Sequence, residues 1–367
     1  MKVVIVVYCL RGGGAERVSS YLANSLVEAG DQVCVVTELG PETDQYHVGP
    51  AVRREVIGSS SGGGRLRKAL RMARKVLKLR SILGRQKPDV VVSLMTRTNN
   101  LTLLATVGTS HRVVICERND PRHNNERAGD ETLRRLLYPR TTLLIAQTET
   151  MARVMRQDFG LKRTAVIPNP SINDVADSNP AAPHFAGKYI LAMGRLAPQK
   201  GFDVLIRAYA QSRAREKMAL VIAGQGGHRG WYESIAESEG VAKHVHFVGH
   251  IDEPFPLLRE CEMFVLSSRW EGFPNVLLEA MSLGRPVIST ILPSGAHDMI
   301  EHGTNGLLVP VGDDVSLATA IDTLASDGEA AEVMGARGPA AVARFQLTVV
   351  MAQWRRVLID VAERAPV

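Results

Sequence analysis

The chain predicts an α/β architecture of two Rossmann-like, doubly wound parallel-sheet domains, and three observations lead there. Short apolar runs alternate with helical stretches from end to end. The series breaks once, at a polar and proline-rich stretch, and then restarts. A length of 367 residues suits two domains, each large enough for its own core.

The first apolar run, Val3 to Leu10, is too short to cross a membrane and lacks the flanks of a signal peptide, so it reads as a buried strand. A glycine-rich turn follows. AERVSSYLANSLVEAG carries Val18, Tyr21, Leu22 and Leu26 at helical spacing, and QVCVVT closes a β-α-β unit. Further strands are expected at Val90–Leu94, Val113–Cys116 and Leu143–Ala146, ending a first domain over 1–169. PNPSINDVADSNPAAPHFAG, without period, marks a linker over 170–187. A second domain over 188–344 then restarts the series with YILAMG, ALVIAG, VHFVG, MFVLS, PVIST and GLLVP as short buried strands. The closing helix, about Phe345 to Ala365, is amphipathic through Val349, Trp354, Leu358 and Val361.

A hydrophobic fraction of 45% excludes general disorder. Cys9, Cys34, Cys116 and Cys261 lie in or beside apolar runs without metal-ligand or framework spacing, which reads as reduced core thiols of a cytosolic protein. Charge is uneven. Residues 1–170 carry 27 Lys and Arg against 15 Asp and Glu, whereas residues 171–367 carry 17 against 23. An anionic partner is therefore expected for the first half alone.

The run EGFPNVLLEAM, Glu271 to Met281, sets two carboxylates eight positions apart around a loop-to-helix junction. Pro274 suits a first helical turn, and the amides of Asn275, Val276 and Leu277 would face outward at the positive end of a helix, a cradle for phosphate. Glu279 shares a side with Asn275 and can accept two hydrogen bonds from a diol. Amides for a diphosphate, flanked by carboxylates for hydroxyls, shape a nucleotide-sugar site; the alternative is an amphipathic helix with solvated glutamates. Earlier, GRLAPQKGFDVL places Gly194 at a strand end with Arg195 and Lys200 in the loop beyond it, at the carboxyl end of the sheet. Arg195 can fork onto two phosphate oxygens, and Lys200 supplies a mobile point charge. In LRGGGAER, Gly13 and Gly14 let backbone approach a ligand, and Glu16 lies in the helix they open. The spacing is not G-x-G-x-x-G and Thr37 ends the second strand, although Glu38 follows it, so a dinucleotide reading is weakened.

Taken whole, SSRWEGFPNVLLEAMSLGRPVIS resembles the E-x7-E signature of retaining glycosyltransferases of family four, which have the two-domain GT-B architecture. GRLAPQK resembles that family's diphosphate clamp, and GGAER resembles a loop of its members in bacterial polysaccharide and lipid-linked-glycan assembly. The resemblance implies that Arg195 and Lys200 hold the diphosphate, Glu279 the ribose hydroxyls and Glu271 a sugar hydroxyl. Gly272, Phe273 and Pro274 would shape the donor loop, and the C-terminal helix would cross back onto the first domain. ICERNDP brings Glu117, Arg118 and Asn119 to the acceptor or sugar side, with Arg118 where many members carry a sugar-contacting histidine. A local ion pair between Glu117 and Arg118 is the competing reading. No Asp-x-Asp metal grip follows a strand, so no metal and no cofactor beyond the nucleotide-sugar, expected to be a UDP-sugar, is implied.

The stretch from Arg65 to Lys87 holds ten basic residues and no acidic one. Arg67, Arg71, Arg74 and Lys78 recur on one side and Leu66, Leu70, Ala73 and Leu77 form an apolar stripe. Such a helix suits an anionic membrane surface or a polyprenyl diphosphate, unless the stripe packs on its own domain. Nucleic acid is not expected, since interleaved aromatics and recognition motifs are missing. The expectation is a retaining hexosyl or N-acetylhexosaminyl transferase acting on a lipid-linked saccharide, cytoplasmic and peripheral on the inner face of the cell membrane. A sugar-nucleotide epimerase of the same fold and a noncatalytic subunit of a glycan-assembly complex are the alternatives.

Overall fold

The structure is a computed structural model that describes residues 1–58, 64–118, 128–171, 185–251, 253–292, 295–296 and 298–364. Asn119 and most of the expected linker lie outside the described residues. Residues Met1–Pro170 with Thr348–Val367 form one compact unit, and Ser171–Leu347 form another.

The first unit runs β1 (Lys2–Val7), α1 (Gly14–Glu28), β2 (Gln32–Thr37), β3 (Arg53–Val56), α2 (Arg65–Gln86), β4 (Val90–Leu94), α3 (Thr96–Ala105), β5 (Val113–Cys116), α4 (Ala128–Leu137), β6 (Leu143–Ala146), α5 (Glu149–Phe159) and β7 (Thr164–Val166). Its parallel sheet has the order β3-β2-β1-β4-β5-β6-β7. The second unit contains β8 (Tyr189–Met193), α6 (Phe202–Gln211), β9 (Ala219–Ala223), α7 (Arg229–Ser238), β10 (Val245–Gly249), α8 (Phe255–Glu260), β11 (Met263–Leu266), α9 (Asn275–Ser282), β12 (Val287–Thr290), β13 (Leu307–Val309), α10 (Asp314–Ser326), α11 (Gly328–Ala336) and α12 (Gly338–Ala341). Its parallel sheet has the order β10-β9-β8-β11-β12-β13. Helices cover both faces of each sheet, which is why β8 and β11 read as unbroken apolar runs. In each sheet the strand order reverses beside the first strand, between β1 and β4 and between β8 and β11, and ligands of such folds bind at the carboxyl ends there.

The last helix, α13 (Leu347–Glu363), belongs almost entirely to the first unit. It buries Val350, Met351, Trp354, Leu358 and Val361, and Arg355 Nε donates to Asp31 at 2.9 Å. Val349, expected on the buried side, is 38% exposed. A helix turns about 100° per residue, and Val350 and Met351 fit the apolar stripe better.

Helix α2 departs further from expectation. Its packed stripe is Met72, Val76, Leu79 and Leu83, with Ile82 also buried, while Leu70 and Leu77 are 52% and 65% exposed and Ala73 is exposed. The side chain of Leu66 lies outside the described residues. The helix thus has two apolar stripes, and the one read from sequence faces solvent. The Lys75 ammonium pairs with Glu38 just past β2, fixing the helix and occupying the carboxylate that a dinucleotide ribose would need.

A polar network threads the interior of the first unit. Glu117, 1% exposed, accepts hydrogen bonds from the Tyr138 hydroxyl and from Thr96 Oγ1 at 3.1 Å. Asn99 Nδ2 donates to Cys116 O at 3.0 Å and to the Tyr138 oxygen at 3.1 Å, and its Oδ1 accepts from Ser93 Oγ at 2.7 Å. Burial, with Glu117 beside it, pushes the Tyr138 phenol well up, so the hydroxyl remains a donor. Tyr138→Phe should therefore cost about 1 to 3 kcal/mol in urea unfolding by leaving Glu117 short of a donor. A change below about 0.5 kcal/mol, the range of ordinary surface substitutions, would contradict the network.

Candidate active site

The loops that leave the carboxyl ends of β8, β9 and β11 are packed backbone to backbone. Gly201, at φ +63°, approaches Ser267 so closely that an added Cβ would stand 2.1 Å from its carbonyl oxygen. Gly224 is held as tightly against the Gly194 carbonyl, where a Cβ would stand at 1.8 Å. This close approach accounts for the glycines in the turn after β9.

On that platform the charged groups meet. The stem of Lys200 lies across Gly194, where an added Cβ would meet its Cε at 2.7 Å. Its ammonium donates to Glu271 Oε1 at 2.6 Å, and the same oxygen accepts from Ser268 Oγ at 2.7 Å. Glu271 is buried, whereas Arg195 is exposed. The structure therefore joins Lys200 to Glu271 directly, two residues assigned above to different parts of a ligand.

Phe273 and Pro274 are buried and lead into α9. The helix begins at Asn275, one residue later than expected, with Pro274 outside it. The Asn275 amide donates to Phe273 O at 3.0 Å, so it is not free for a ligand as expected. The Leu278 amide returns to Pro274 O at 3.1 Å, leaving the amides of Val276 and Leu277 at the positive end of the helix. Glu279 is buried one turn further along, and Gly272 is half-buried in the loop.

Sequence reading missed what holds this arrangement. Arg269 forks onto Asp203, Nη1 to Oδ1 at 2.8 Å and Nη2 to Oδ2 at 2.7 Å, and Nη1 also donates to Pro198 O at 2.7 Å. Ser267 Oγ donates to Lys200 O at 2.9 Å, and Thr290 Oγ1 donates to Ser268 O at 2.6 Å. The loop bearing Lys200 and the loop bearing Glu271 are thereby tied together. Sixty-six positions separate Asp203 from Arg269, and no local pattern links them.

In the first unit, Gly13 is the extended residue before α1, and of the turn's three glycines Gly12 alone has positive φ. Gly14 opens α1, and Glu16, in its first turn, curls back so that an added Cβ on Gly13 would meet its Oε2 at 2.2 Å. Burial pushes the Glu16 carboxyl up, an effect that the charge of Arg118 partly offsets. Glu117 and Arg118 do not pair with each other: Glu117 turns into the interior network and the Arg118 guanidinium donates to Asn169 Oδ1. Among the described residues no group of three His, Cys, Asp or Glu side chains could hold a metal ion.

Two family models divide the chain. Residues 12–170 match Glycosyltransferase Family 4 and residues 181–341 match Glycosyl transferases group 1. The chain is a glycosyltransferase of GT-B fold. It is 27% identical over 342 residues to the lipopolysaccharide core biosynthesis glycosyltransferase LpsE of Rhizobium meliloti, covering 89% of this chain and 90% of the relative. It is 26% identical over 335 residues, with the same coverage, to the N-acetylgalactosamine-N,N'-diacetylbacillosaminyl-diphospho-undecaprenol 4-alpha-N-acetylgalactosaminyltransferase of Campylobacter jejuni. Among solved structures, the sucrose-phosphate synthase of Thermosynechococcus elongatus superposes with a TM-score of 0.83 at 18% identity, covering 98% of this chain and 99% of that one. Anabaena HepE in complex with UDP and glucose gives 0.80 at 21% identity, covering 98% and 100%.

The Arg269–Asp203 fork has a pH signature. Burial alone would raise the Asp203 pKa, but the hydrogen bonds and charge of Arg269 outweigh it and hold the carboxyl below its ordinary value. Its stabilisation is complete above about pH 3.9, the unfolded value, and is lost as the pH falls through the lowered folded value. Asp203→Asn should cost about 1 to 3 kcal/mol in urea unfolding at pH 7, and the gap to the parent should close on acidification. An equal gap at pH 7 and pH 3 would show that the pair contributes no charge-linked stability.

Proposed function

We propose that this glycosyltransferase moves a hexosyl or N-acetylhexosaminyl group, with retention of configuration, from a UDP-sugar to a polyprenyl-diphosphate-linked saccharide at an anionic membrane surface. The observation that carries the donor half is the Lys200–Glu271 pair set across Gly194 at the switch point of the second sheet. In this reading Arg195 and Lys200, with the amides of Val276 and Leu277, hold the diphosphate and stabilise it as it leaves. Glu279 accepts hydrogen bonds from the ribose diol. Glu271 orients Lys200 and, once the phosphate draws that ammonium away, accepts a hydrogen bond from a sugar hydroxyl. The departing phosphate takes the acceptor's proton while attack occurs on the face it leaves, so neither carboxylate need form a bond to sugar. Fixed cations and a helix terminus do the electrostatic work without a metal. The names of the relatives support the acceptor class: one acts on a diphospho-undecaprenol glycan and another builds lipopolysaccharide core.

Arg195→Ala and Lys200→Ala should each lower turnover by roughly 10² to 10³, the scale for loss of a preorganised donor to developing charge, with unfolding temperature little changed for exposed Arg195 and lowered for Lys200, whose loss leaves buried Glu271 without its cation. Turnover should persist in excess EDTA. Full activity in either variant would remove the clamp assignment, and loss in EDTA restored by magnesium or manganese would overturn the metal-free mechanism.

The acceptor half rests on α2. Its exposed Leu70 and Leu77 are accompanied by Arg67, Arg74 and Lys78, all exposed, and by half-buried Arg71, an arrangement suited to lying in an anionic headgroup layer. No helix among the described residues is long and apolar enough to cross a membrane. Replacing Arg67, Arg71, Arg74 and Lys78 by Gln removes four charges worth about 1 kcal/mol each near such a surface. Cosedimentation with anionic vesicles should fall steeply and turnover on a lipid-linked acceptor should fall more than on a short soluble one. Unchanged vesicle binding would make the helix purely structural.

A further inference from the structure

The amino end of the first sheet carries a cavity of about 440 Å³ that the glycosyl-transfer reading does not use. It lies where β6 and β7 begin, at Leu143 and Thr164, and the last turns of α13 close its side. The carboxyl ends of the strands, where ligands of doubly wound folds bind, are at the opposite edge. Leu143, Ala165 and Val357, half-buried, and Val361, 4% exposed, form the apolar part of the lining. Arg156, Lys162, Arg163 and Arg364 stand around it, all exposed, against one carboxylate, that of Asp360.

The four cations differ in how far the protein itself occupies them. Arg156 is held, its Nη2 donating to Glu149 Oε1 at 2.7 Å and its Nη1 to Thr164 Oγ1 at 2.6 Å. Arg364 is positioned from behind: Nε and Nη2 of Arg112 donate to its carbonyl oxygen at 2.9 and 2.7 Å, so that a cation caps the end of α13. Its own Nε turns back to Asp360 O at 3.2 Å. Among the described residues the side chains of Lys162 and Arg163 have no hydrogen-bond or ion-pair partner, and the Asp360 carboxylate pairs with none of the four cations. Like charges gathered in this way repel, and a bound anion relieves the repulsion. A concave site with an apolar floor and a few convergent polar groups has the form of a ligand pocket. Guanidinium forks beside an ammonium favour phosphate, whose several oxygens can be shared among them.

We propose that this cavity is a second anion site, separate from the donor site, for a ligand that joins a phosphate to an apolar group. The phosphate lies among Lys162, Arg163 and Arg364, and the apolar group rests on Val357 and Val361. A phospholipid headgroup and a soluble phosphate ester share this chemistry. Every residue of the site belongs to the first unit, so occupancy ties α13 to β6 and β7 and asks nothing of the second unit.

The test compares three forms of the full chain: wild type, a site variant with Lys162→Gln, Arg163→Gln and Arg364→Gln, and a control variant with Arg213→Gln, Lys217→Gln and Lys243→Gln. The control removes the same charge from exposed positions of the second unit. The soluble arm is calorimetry with millimolar phenyl phosphate. Wild type and control should bind it equally, and the site variant roughly 10- to 100-fold more weakly, the scale for lost charge-assisted bonds. The membrane arm is cosedimentation with phosphatidylcholine vesicles containing phosphatidic acid, with Arg67, Arg71, Arg74 and Lys78 already replaced by Gln in all three forms so that α2 contributes no charge. Loss confined to the site variant in the soluble arm alone assigns a free phosphate ester, in the membrane arm alone a lipid headgroup, and in both a site open to either. Absence of wild-type binding in both arms, binding by the site variant equal to wild type in both, or equal weakening in the site and control variants overturns the proposal. Should the site variant fail to fold, Arg163→Gln alone is read in its place by the same outcomes.

Discussion

The site in the second unit depends on the close approach of two loops, Gly201 on one and the Ser267 carbonyl on the other. Neither loop carries regular structure at the contact, so its geometry is set by what lies on either side. Beneath are β8 and β11, neighbours in the sheet, and alongside is the Arg269–Asp203 fork. Because the approach leaves no space for a side chain, Lys200 and Glu271 are delivered to one another at hydrogen-bond distance. A long, flexible lysine stem would otherwise sample many positions at an entropic cost on binding. Lying across Gly194 and paired with Glu271, it is already confined. An anionic ligand arriving there exchanges one anionic partner for another and need not order the cation from scratch.

The first unit is organised by a different constraint, the separation of charge along a single strand end. Glu117 and Arg118 are adjacent, and in extended backbone adjacent side chains take opposite faces of the sheet. Glu117 enters a network with Tyr138, Thr96 and Asn99 and is spent on stability. Arg118, also buried, lies beside Trp354, with Nε and Nη2 unpartnered among the described residues. The two side chains therefore have separate partners although they read as one motif. Helix α2 shows the same economy: one apolar stripe builds the core while a second, flanked by arginines and lysines, remains on the surface.

Much of this molecule was determined by the sequence alone. Short, mainly apolar runs bounded by loop residues placed strands such as Val90–Leu94 and Val113–Cys116 to the residue, because strands covered on both faces admit few polar residues. The EGFPNVLLEAM and GRLAPQK runs located the loops that the structure brings together as the candidate site, because strand-loop-helix junctions at the carboxyl edge of a doubly wound sheet are local features with local signatures. Tertiary structure alone decided how the charged groups are spent. That Lys200 pairs with Glu271, that Arg269 and Asp203 hold both loops, and that Glu117 and Arg118 have separate partners all depend on contacts between residues distant in the chain. Helical periodicity likewise found both an apolar stripe and a basic one on α2 but not which stripe packs inward. Periodicity fixes the angle between side chains on one helix, and only the surface it docks against fixes the rotation of that helix about its axis.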